Sequence, residues 1–374
     1  MRIVLWQNCL SPHQLPYIVH LLDDDRVDSV VIAAGEAVNA ERAKMGWCVA
    51  EYSGLDRCEV YLNPHPLMMD SLLATRTDDS WHLFSGIRDF QFVFKAFLQS
   101  LKYNLRRGLI KERPITYAHG STNGKPLWMH RLRFLLRDRK FAPSIDMVFA
   151  MGDEAVDYFQ SVWKQWAVHP FAYCTNPSLT PAIQITGPTR FVFVGSLSPR
   201  KSPLTILDAQ RQIVNNCKRG GVILNFVGDG PERLKIEQAI ENYNLQGVSL
   251  LGTKQNDEIA SIISQHDVLI LPSLHDGWGA VVNEALTQGL YVICSDRCGA
   301  KELIYNPRRG RIFKANDCKQ LADCMQYCIT HIENIRKDVD YRRQWARQCI
   351  SGEAISRYMV DCLSGKDVQR PWID

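Results

Sequence analysis

Short apolar runs alternate with longer amphipathic segments along the whole chain, and this alternation restricts the possible folds more than any other feature of the sequence. Runs of three to five mainly apolar residues suit strands that are buried on both faces, and the longer segments between them suit covering helices. The runs form two series, at 3–6, 30–33, 59–62, 115–117 and 147–150, and at 190–194, 223–227, 248–251, 268–271 and 291–293. The pattern predicts an α/β fold with parallel sheets.

Two series of strands predict two domains, and a chain of 374 residues is long enough to give each its own core. Residues 174–189 contain three prolines and little periodicity, which is typical of a linker. We predict a Rossmann-like N-terminal domain over 1–175, a linker over 176–189 and a second Rossmann-like domain over 190–345. Residues 346–374 read as a helical segment, and they are a candidate for packing back on the N-terminal domain.

The twelve cysteines are scattered, which favours reduced thiols over the disulfide framework of a small secreted domain. Cys294 and Cys298, like Cys324 and Cys328, lie four residues apart, but neither pair has a partner pair at metal-ligand spacing. The chain reaches Pro12 and His13 before any long apolar region develops, which is unlike a signal peptide or a spanning helix. These features predict a cytoplasmic protein without a metal site.

The turns after the second series of strands carry residues that suit a phosphorylated ligand. Gly195 permits a close backbone approach, and the adjacent Arg200 and Lys201 can hold a diphosphate. Taken alone, that loop is equally compatible with a solvated basic loop. Gly252 and Thr253 follow the third strand, where the backbone can contact the edge of a base. Because ligands gather at the carboxyl ends of parallel strands, we expect these turns to form one site.

The segment DGWGAVVNE, residues 276–284, follows the fourth strand of this series and places two carboxylates around a glycine-rich turn. Backbone N–H groups from Ala280 to Val282 are expected to open a helix and to face an anion. Glu284 lies about one helical turn deeper, where its carboxylate can accept hydrogen bonds from the vicinal hydroxyls of a ribose. The segment predicts a nucleotide diphosphate site, and an ordinary strand-turn-helix with a charged first turn is the alternative.

Four segments together resemble a known family. FVGSLSPRKSP, FVGDGPE, LLGTKQNDEI and the 276–296 stretch occur in the order and approximate spacing of the C-terminal domain of retaining glycosyltransferases of the GT-B fold, family 4 (group 1 type). The resemblance covers residues 190–310 and is mainly architectural over 1–175. It implies two domains with parallel sheets that face an interdomain cleft, and no requirement for a metal. It also implies that residues 1–175 form the acceptor domain and residues 190–345 the nucleotide-sugar donor domain.

The resemblance also implies roles for individual residues. Arg200 and Lys201 correspond to residues that hold the donor diphosphate, and Glu284 corresponds to the ribose carboxylate. Asp276 takes the place of an acidic residue, usually glutamate, that contacts the transferred sugar. His119 resembles the family's histidine near that sugar, and a structural histidine after a strand is its alternative. Ser196 departs from the family, because many members have arginine there.

The predicted site thus has two overlapping sets of residues. The predicted catalytic residues are His119, Asp276, Arg200 and Lys201. The predicted donor-binding residues are Gly195, Arg200, Lys201, Gly252, Thr253, Asp276, Gly277, Trp278, Gly279, Ala280, Val281, Val282 and Glu284. Trp278 either forms a wall of the sugar pocket or simply packs. His13 and Gln14 follow the first strand, and no role is assigned to them. No resident cofactor is expected, and the co-substrate is a UDP- or GDP-sugar.

Charge is distributed unevenly along the chain. Residues 1–90 contain 7 Lys or Arg against 13 Asp or Glu, whereas residues 91–140 contain 12 against 2. The net charge of +4 is too small to indicate nucleic-acid binding. Within 127–140, apolar residues interleave with arginine and lysine, as in segments that lie on an anionic membrane surface. A packed helix with a solvated basic face is the alternative.

These observations predict a cytoplasmic, metal-independent, retaining glycosyltransferase of hexosyltransferase type, peripheral at the inner face of the cell membrane. Its acceptor is expected to be a lipid-linked bacterial surface glycan, as in polysaccharide or lipopolysaccharide biosynthesis. A GT-B sugar-nucleotide epimerase is one alternative. A catalytically silent nucleotide-sugar-binding subunit is another, suggested by Asp276 and Ser196. A dinucleotide oxidoreductase fits less well, because no strand is followed by a complete G-x-G-x-x-G turn with a suitably spaced acidic residue.

Overall fold

The computed structural model describes residues 1–38, 52–112, 127–177, 182–214 and 221–374 of the chain. These residues form two compact units. The first consists of Met1–Cys174 and Ser351–Pro371, and the second of Thr175–Ile350 and Trp372–Asp374. The C-terminal stretch that begins at residue 346 is therefore divided between the units, with most of it in the first.

The first unit is built on a parallel sheet of seven strands in the order β3-β2-β1-β4-β5-β6-β7. The strands are β1 Arg2–Cys9, β2 Ser29–Glu36, β3 Glu59–Leu62, β4 Ser80–Phe84, β5 Arg106–Glu112, β6 Met147–Met151 and β7 Ala167–Phe171. The central strands are almost entirely buried, because helices cover both faces of a sheet of this kind. Strand order reverses between β1 and β4, which makes that junction the switch point of the sheet.

The second unit contains a parallel sheet of six strands in the order β10-β9-β8-β11-β12-β13. The strands are β8 Arg190–Val194, β9 Ile223–Val227, β10 Val248–Gly252, β11 Val268–Leu271, β12 Tyr291–Ser295 and β13 Gly310–Phe313. Its switch point lies between β8 and β11. The loops that follow these two strands are therefore the expected position of a ligand.

The described helices connect the strands and, near the C-terminus, follow one another directly. They are α1 Leu15–His20, α2 Pro66–Ala74, α3 Gln91–Ser100, α4 Leu127–Arg133, α5 Asp153–Val162, α6 Leu204–Val214, α7 Arg233–Asn242, α8 Asn256–Ser264, α9 Val281–Gln288, α10 Cys318–Thr330, α11 Ile332–Lys337, α12 Val339–Cys349 and α13 Gly352–Leu363. Helix α13 packs against α1 in the first unit. Within the described residues, no helix combines the length and the apolar composition that crossing a bilayer requires.

The predicted α/β class with two parallel-sheet, Rossmann-like domains is confirmed. The predicted strand at 115–117 lies outside the described residues.

Three strands of the first unit, β4, β5 and β7, and the edge strand β13 were not predicted. Polar residues hid β4 and β5: His82 is fully buried and accepts a hydrogen bond from Trp6 Nε1 at 3.1 Å. Arg107 is likewise buried, and its Nε donates to Ser100 Oγ at 2.9 Å. Tertiary hydrogen bonds make such burial tolerable, and a hydropathy pattern does not reveal them.

Candidate functional site

The two loops at the switch point of the second sheet are joined by hydrogen bonds. The backbone N–H of Leu274, after β11, donates to the carbonyl oxygen of Arg200, after β8, at 2.8 Å. In return, Arg200 Nη1 donates to the carbonyl oxygen of His275 at 2.9 Å. Two segments that are 75 residues apart in the sequence therefore form one continuous surface.

Lys201 and Asp276 form an ion pair at the centre of this surface. Lys201 Nζ donates to Asp276 Oδ2, and Arg200 Nη1 lies 3.8 Å from Asp276 Oδ1. The Lys201 and Asp276 side chains are only 14% and 13% exposed, whereas that of Arg200 is 43% exposed. Burial alone would raise the pKa of Asp276, but the adjacent Lys201 and Arg200 lower this pKa below its usual value. Asp276 is therefore a carboxylate held by a cation, and Arg200 is the more accessible cation.

Neighbouring strand ends continue the rim of the site. The N–H of Gly195 donates to the carbonyl oxygen of Val227 at 2.9 Å, and the N–H of Gly228 donates to that of Gly252 at 2.8 Å. Gly228 has φ +130°, and a Cβ there would lie 2.0 Å from the carbonyl oxygen of Gly195, so a side chain is excluded. Exposed Thr253 follows Gly252 two strands away from β8, at the same edge of the sheet.

The glycine-rich turn from residue 276 to 280 leads directly into α9. Gly279 has φ +95°, and a Cβ there would lie 2.7 Å from Cys298 Sγ. The backbone N–H of Val282 donates to the carbonyl oxygen of Gly279 at 2.9 Å, so Val282 does not fit its predicted anion-binding role. Ala280 and Val281 precede this bond and stand at the positively polarised end of the helix. Gly277, another predicted donor-binding residue, lies in the same turn before Gly279.

Trp278 is placed inside the second unit, with 1% of its surface exposed. Its indole Nε1 donates to Asn283 Oδ1 at 2.7 Å, and its carbonyl oxygen accepts hydrogen bonds from the N–H of Ala300 at 2.8 Å and from Cys298 Sγ at 2.9 Å. These contacts fix the turn between β11 and α9. The structure favours the packing alternative for the indole over the pocket-wall alternative.

Glu284 lies in the first turn of α9, as the sequence pattern predicts. Burial raises the pKa of Glu284 from its ordinary value of 4.5 to about 7. Desolvation is the cause of this shift, because burial penalises the charged form of a carboxyl group. A ligand that donates hydrogen bonds to this side chain would favour its ionised form.

The turn after β12 also contributes to the site, although the sequence reasoning assigned it no role. The N–H of Asp276 donates to the carbonyl oxygen of Arg297 at 3.0 Å, and the N–H of Gly299 donates to that of Asp276 at 3.2 Å. Buried Ser273, which follows β11, also lies near this carboxylate, with its Oγ 3.4 Å from Asp276 Oδ2. The position of this turn could have indicated a role, because the sequence SDRCG follows a predicted strand of the same sheet. The turn received no role because it lacks a charge pattern typical of phosphate binding.

Residues of the first unit supply less information about the site. His119 lies outside the described residues. The carbonyl oxygen of His13 accepts a hydrogen bond from the N–H of Cys174 at 3.4 Å, and its ring centroid lies 6.0 Å from that of Tyr173. The ten described cysteines are present as thiols and not as disulfides. Among the described residues, no group of three or more His, Cys, Asp or Glu side chains is arranged to hold a metal ion. Metal independence stays a prediction.

Comparisons with known proteins agree with this architecture. The Anabaena protein HepE, solved in complex with UDP, superposes with a TM-score of 0.71 at 16% identity over 98% of this chain and 100% of that chain. An uncharacterized glycosyltransferase of Methanocaldococcus jannaschii is 30% identical over 146 residues, 39% of either chain. The UDP-Gal:alpha-D-GlcNAc-diphosphoundecaprenol alpha-1,3-galactosyltransferase of Escherichia coli is 33% identical over 136 residues, 36% of this chain and 35% of that protein.

The fold is that of the GT-B glycosyltransferases. Residues 181–345 match the family described as Glycosyl transferases group 1, and this segment contains the whole Lys201–Asp276 site. Through this segment, which is less than half of the chain, the protein resembles the group 1 glycosyltransferases. The chain matches less than half of the length of each of the two curated relatives named above.

Proposed function

We propose that the chain is a retaining glycosyltransferase that moves a hexosyl group from a nucleotide diphosphate sugar to a glycan acceptor, without a metal. The observation that carries the proposal is the meeting of Arg200, Lys201 and Asp276 at the switch point between β8 and β11. Two cations beside one held carboxylate suit a ligand with both a diphosphate and sugar hydroxyls. The match of residues 181–345 to the group 1 family supports the same reaction class.

In this proposal, each part of the site stabilises a different part of the donor. Arg200, Lys201 and the N-terminus of α9 neutralise the negative charge that builds up on the departing diphosphate, which lowers the barrier to transfer. Asp276 accepts hydrogen bonds from hydroxyls of the transferred sugar, and Glu284 accepts them from the ribose. The backbone at Gly252 contacts the base. His119 remains a proposed catalytic residue near the transferred sugar.

We propose a UDP- or GDP-sugar as the donor and a lipid-linked bacterial surface glycan as the acceptor. The similarity to HepE, which was solved with UDP, supports a uridine nucleotide. The Escherichia coli relative is named for a diphosphoundecaprenol-linked acceptor, and this supports a lipid-linked glycan. We place the donor on the second unit and the acceptor on the first, in a cytoplasmic protein that works at the inner face of the membrane.

Thermal unfolding with UDP, GDP and ADP, followed by transfer assays with the corresponding sugars, tests the proposal. A nucleotide present at about 100 times its Kd is expected to stabilise the protein by roughly 2.7 kcal/mol. Turnover with the preferred donor is expected to persist in EDTA. If none of the nucleotides raises the unfolding temperature at millimolar concentration, the donor site is wrongly assigned.

Asp276→Glu is expected to retain kcat/KM within about tenfold, because glutamate keeps the charge and the accepting oxygens beside the flexible Lys201 side chain. Asp276→Asn is the matched control. It is expected to lose about a hundredfold or more, since an amide cannot replace a carboxylate next to a buried cation. Steady-state kinetics with the donor varied distinguish the two variants. An inactive Glu variant beside an active Asn variant would reverse the assigned role of this side chain.

A further inference from the structure

The segment from residue 128 to 140 presents large apolar side chains to solvent. Trp128, Leu132, Leu135 and Leu136 are 62%, 45%, 51% and 76% exposed. Their spacing of four, seven and eight residues from Trp128 places them along one side of α4 and its continuation through Phe134–Asp138. Exposed apolar clusters of this kind on soluble proteins commonly mark interaction sites. We call these four side chains, together with the exposed cations of residues 131–140, the basic apolar surface.

The opposite side of the same segment is packed onto the first unit. Phe134 is buried, and its ring makes an edge-to-face contact with that of Trp166, with centroids 5.7 Å apart. Tyr158 Oη donates to the carbonyl oxygen of buried His130 at 3.4 Å. The segment therefore already has its core contacts, and its exposed apolar side chains form a second face that the fold of this unit does not use.

Cations surround the exposed apolar side chains. The exposed cations of the segment are Arg131, Arg133, Arg137, Arg139 and Lys140. The acidic residue within the segment, Asp138, is paired with Arg88, whose Nε lies 2.7 Å from Asp138 Oδ1. The surface therefore carries an excess of positive charge around an apolar centre.

This combination favours a lipid surface over a second copy of the chain. Facing copies of the basic apolar surface would bring like charges together, which opposes association. An anionic bilayer offers acyl chains for the apolar side chains and headgroup charges for the cations.

We propose that the basic apolar surface binds anionic membranes, with Trp128, Leu132, Leu135 and Leu136 entering the interface and the five cations contacting anionic headgroups. The proposed contact with the membrane is thus one face of residues 128–140, which is a smaller part of the basic region 91–140. The donor residues belong to the second unit, so the binding surface can be tested whether or not the donor site transfers sugar.

Flotation of the full chain with vesicles of phosphatidylcholine and phosphatidylglycerol tests the proposal, with phosphatidylcholine vesicles as the comparison. The chain is expected to float with anionic vesicles at low salt and to be released at high salt. Leu136→Gln is expected to weaken binding about tenfold through lost apolar burial. Replacing Arg133 and Arg137 together by glutamine is expected to weaken it about 25-fold, roughly fivefold for each cation.

Leu67→Gln is the matched control, because Leu67 is also 76% exposed and lies on α2 of the same unit. It is expected to leave vesicle binding unchanged, and unaltered thermal unfolding would show that all the variants fold. Failure of the unmodified chain to float at low salt overturns the proposal. So does equal loss of binding in the Leu67 and Leu136 variants, or a lipid-free dimer that Leu136→Gln converts to a monomer while vesicle binding is absent.

Discussion

Replacing Lys201 by methionine is expected to lower kcat by about a hundredfold to a thousandfold and to destabilise the second unit by about 3 kcal/mol. Two separate causes act here. The donor diphosphate loses a preorganised cation, which raises the barrier to transfer. In the free protein, Asp276 is 13% exposed and loses the ammonium group that holds its charge. Arg200 Nη1, 3.8 Å from Oδ1, is then the cation that remains beside this carboxylate, and incomplete compensation of its charge is costly because water reaches it poorly.

The double variant Lys201→Met with Asp276→Asn separates these causes. Removing both charges is expected to restore most of the lost stability, because replacing a whole buried ion pair is often close to neutral. Activity is expected to stay low, since the cation for the diphosphate is still missing. Chemical denaturation measures the first effect and single-turnover kinetics the second. Near-normal turnover in the single variant would remove Lys201 from the proposed mechanism, even if its stability falls as expected.

Nucleotide binding is expected to weaken as the pH falls below about 7, by up to tenfold per pH unit, because of Glu284. Burial raises the pKa of this side chain to about 7, so the free protein increasingly carries a neutral carboxyl group below that pH. The proposed ribose contact requires the ionised form, which accepts two hydrogen bonds. Binding below pH 7 must therefore release a proton, and the Kd increases accordingly.

The stability of the free protein responds to Glu284 with the opposite sign. A raised folded-state pKa contributes stability that is fully present below the unfolded value of 4.5 and is lost as the pH rises through about 7. The 2.5-unit difference corresponds to about 3 kcal/mol.

Glu284→Gln is expected to remove the contribution of this side chain to both pH dependences. Any pH dependence of the Kd that remains in this variant measures titration of the nucleotide phosphate itself. Calorimetric titration across pH 5.5 to 8 provides the measurement. Parallel Kd profiles for the two proteins would contradict the ribose assignment.

Much of the fold could be predicted from the sequence, because buried strands of a parallel sheet are local apolar runs. Strands β8, β9 and β11 begin and end at the predicted residues. The prediction failed where polar residues occupy strands, as in β4 and β5. Buried His82 is accommodated by Trp6, which is 76 residues away, and buried Arg107 by Ser100 at the end of the preceding helix, and a hydropathy pattern shows neither contact. It also missed β13, a short edge strand whose two central residues are exposed.

The candidate site was predictable in outline for a related reason. The spacing of Asp276 and Glu284 around a glycine-rich turn is a local property, and so is the position of Arg200 and Lys201 after a strand. The packing of Trp278 against Asn283 and Cys298 was not predictable, because Cys298 comes from the turn after the next strand. The hydrogen bond from the N–H of Val282 to Gly279 within the turn was also not predictable.

The sequence by itself determined the α/β class, the positions of most strands and the residue types at the strand ends, because these depend on neighbours within about ten residues. Only the tertiary structure decided that Lys201 holds Asp276 and that Arg200 is left more open to solvent. Those contacts depend on β8 lying beside β11, an order that periodicity does not encode. Likewise, the sequence supplied apolar and basic residues between 128 and 140, but packing of the first unit decided which of them face the solvent.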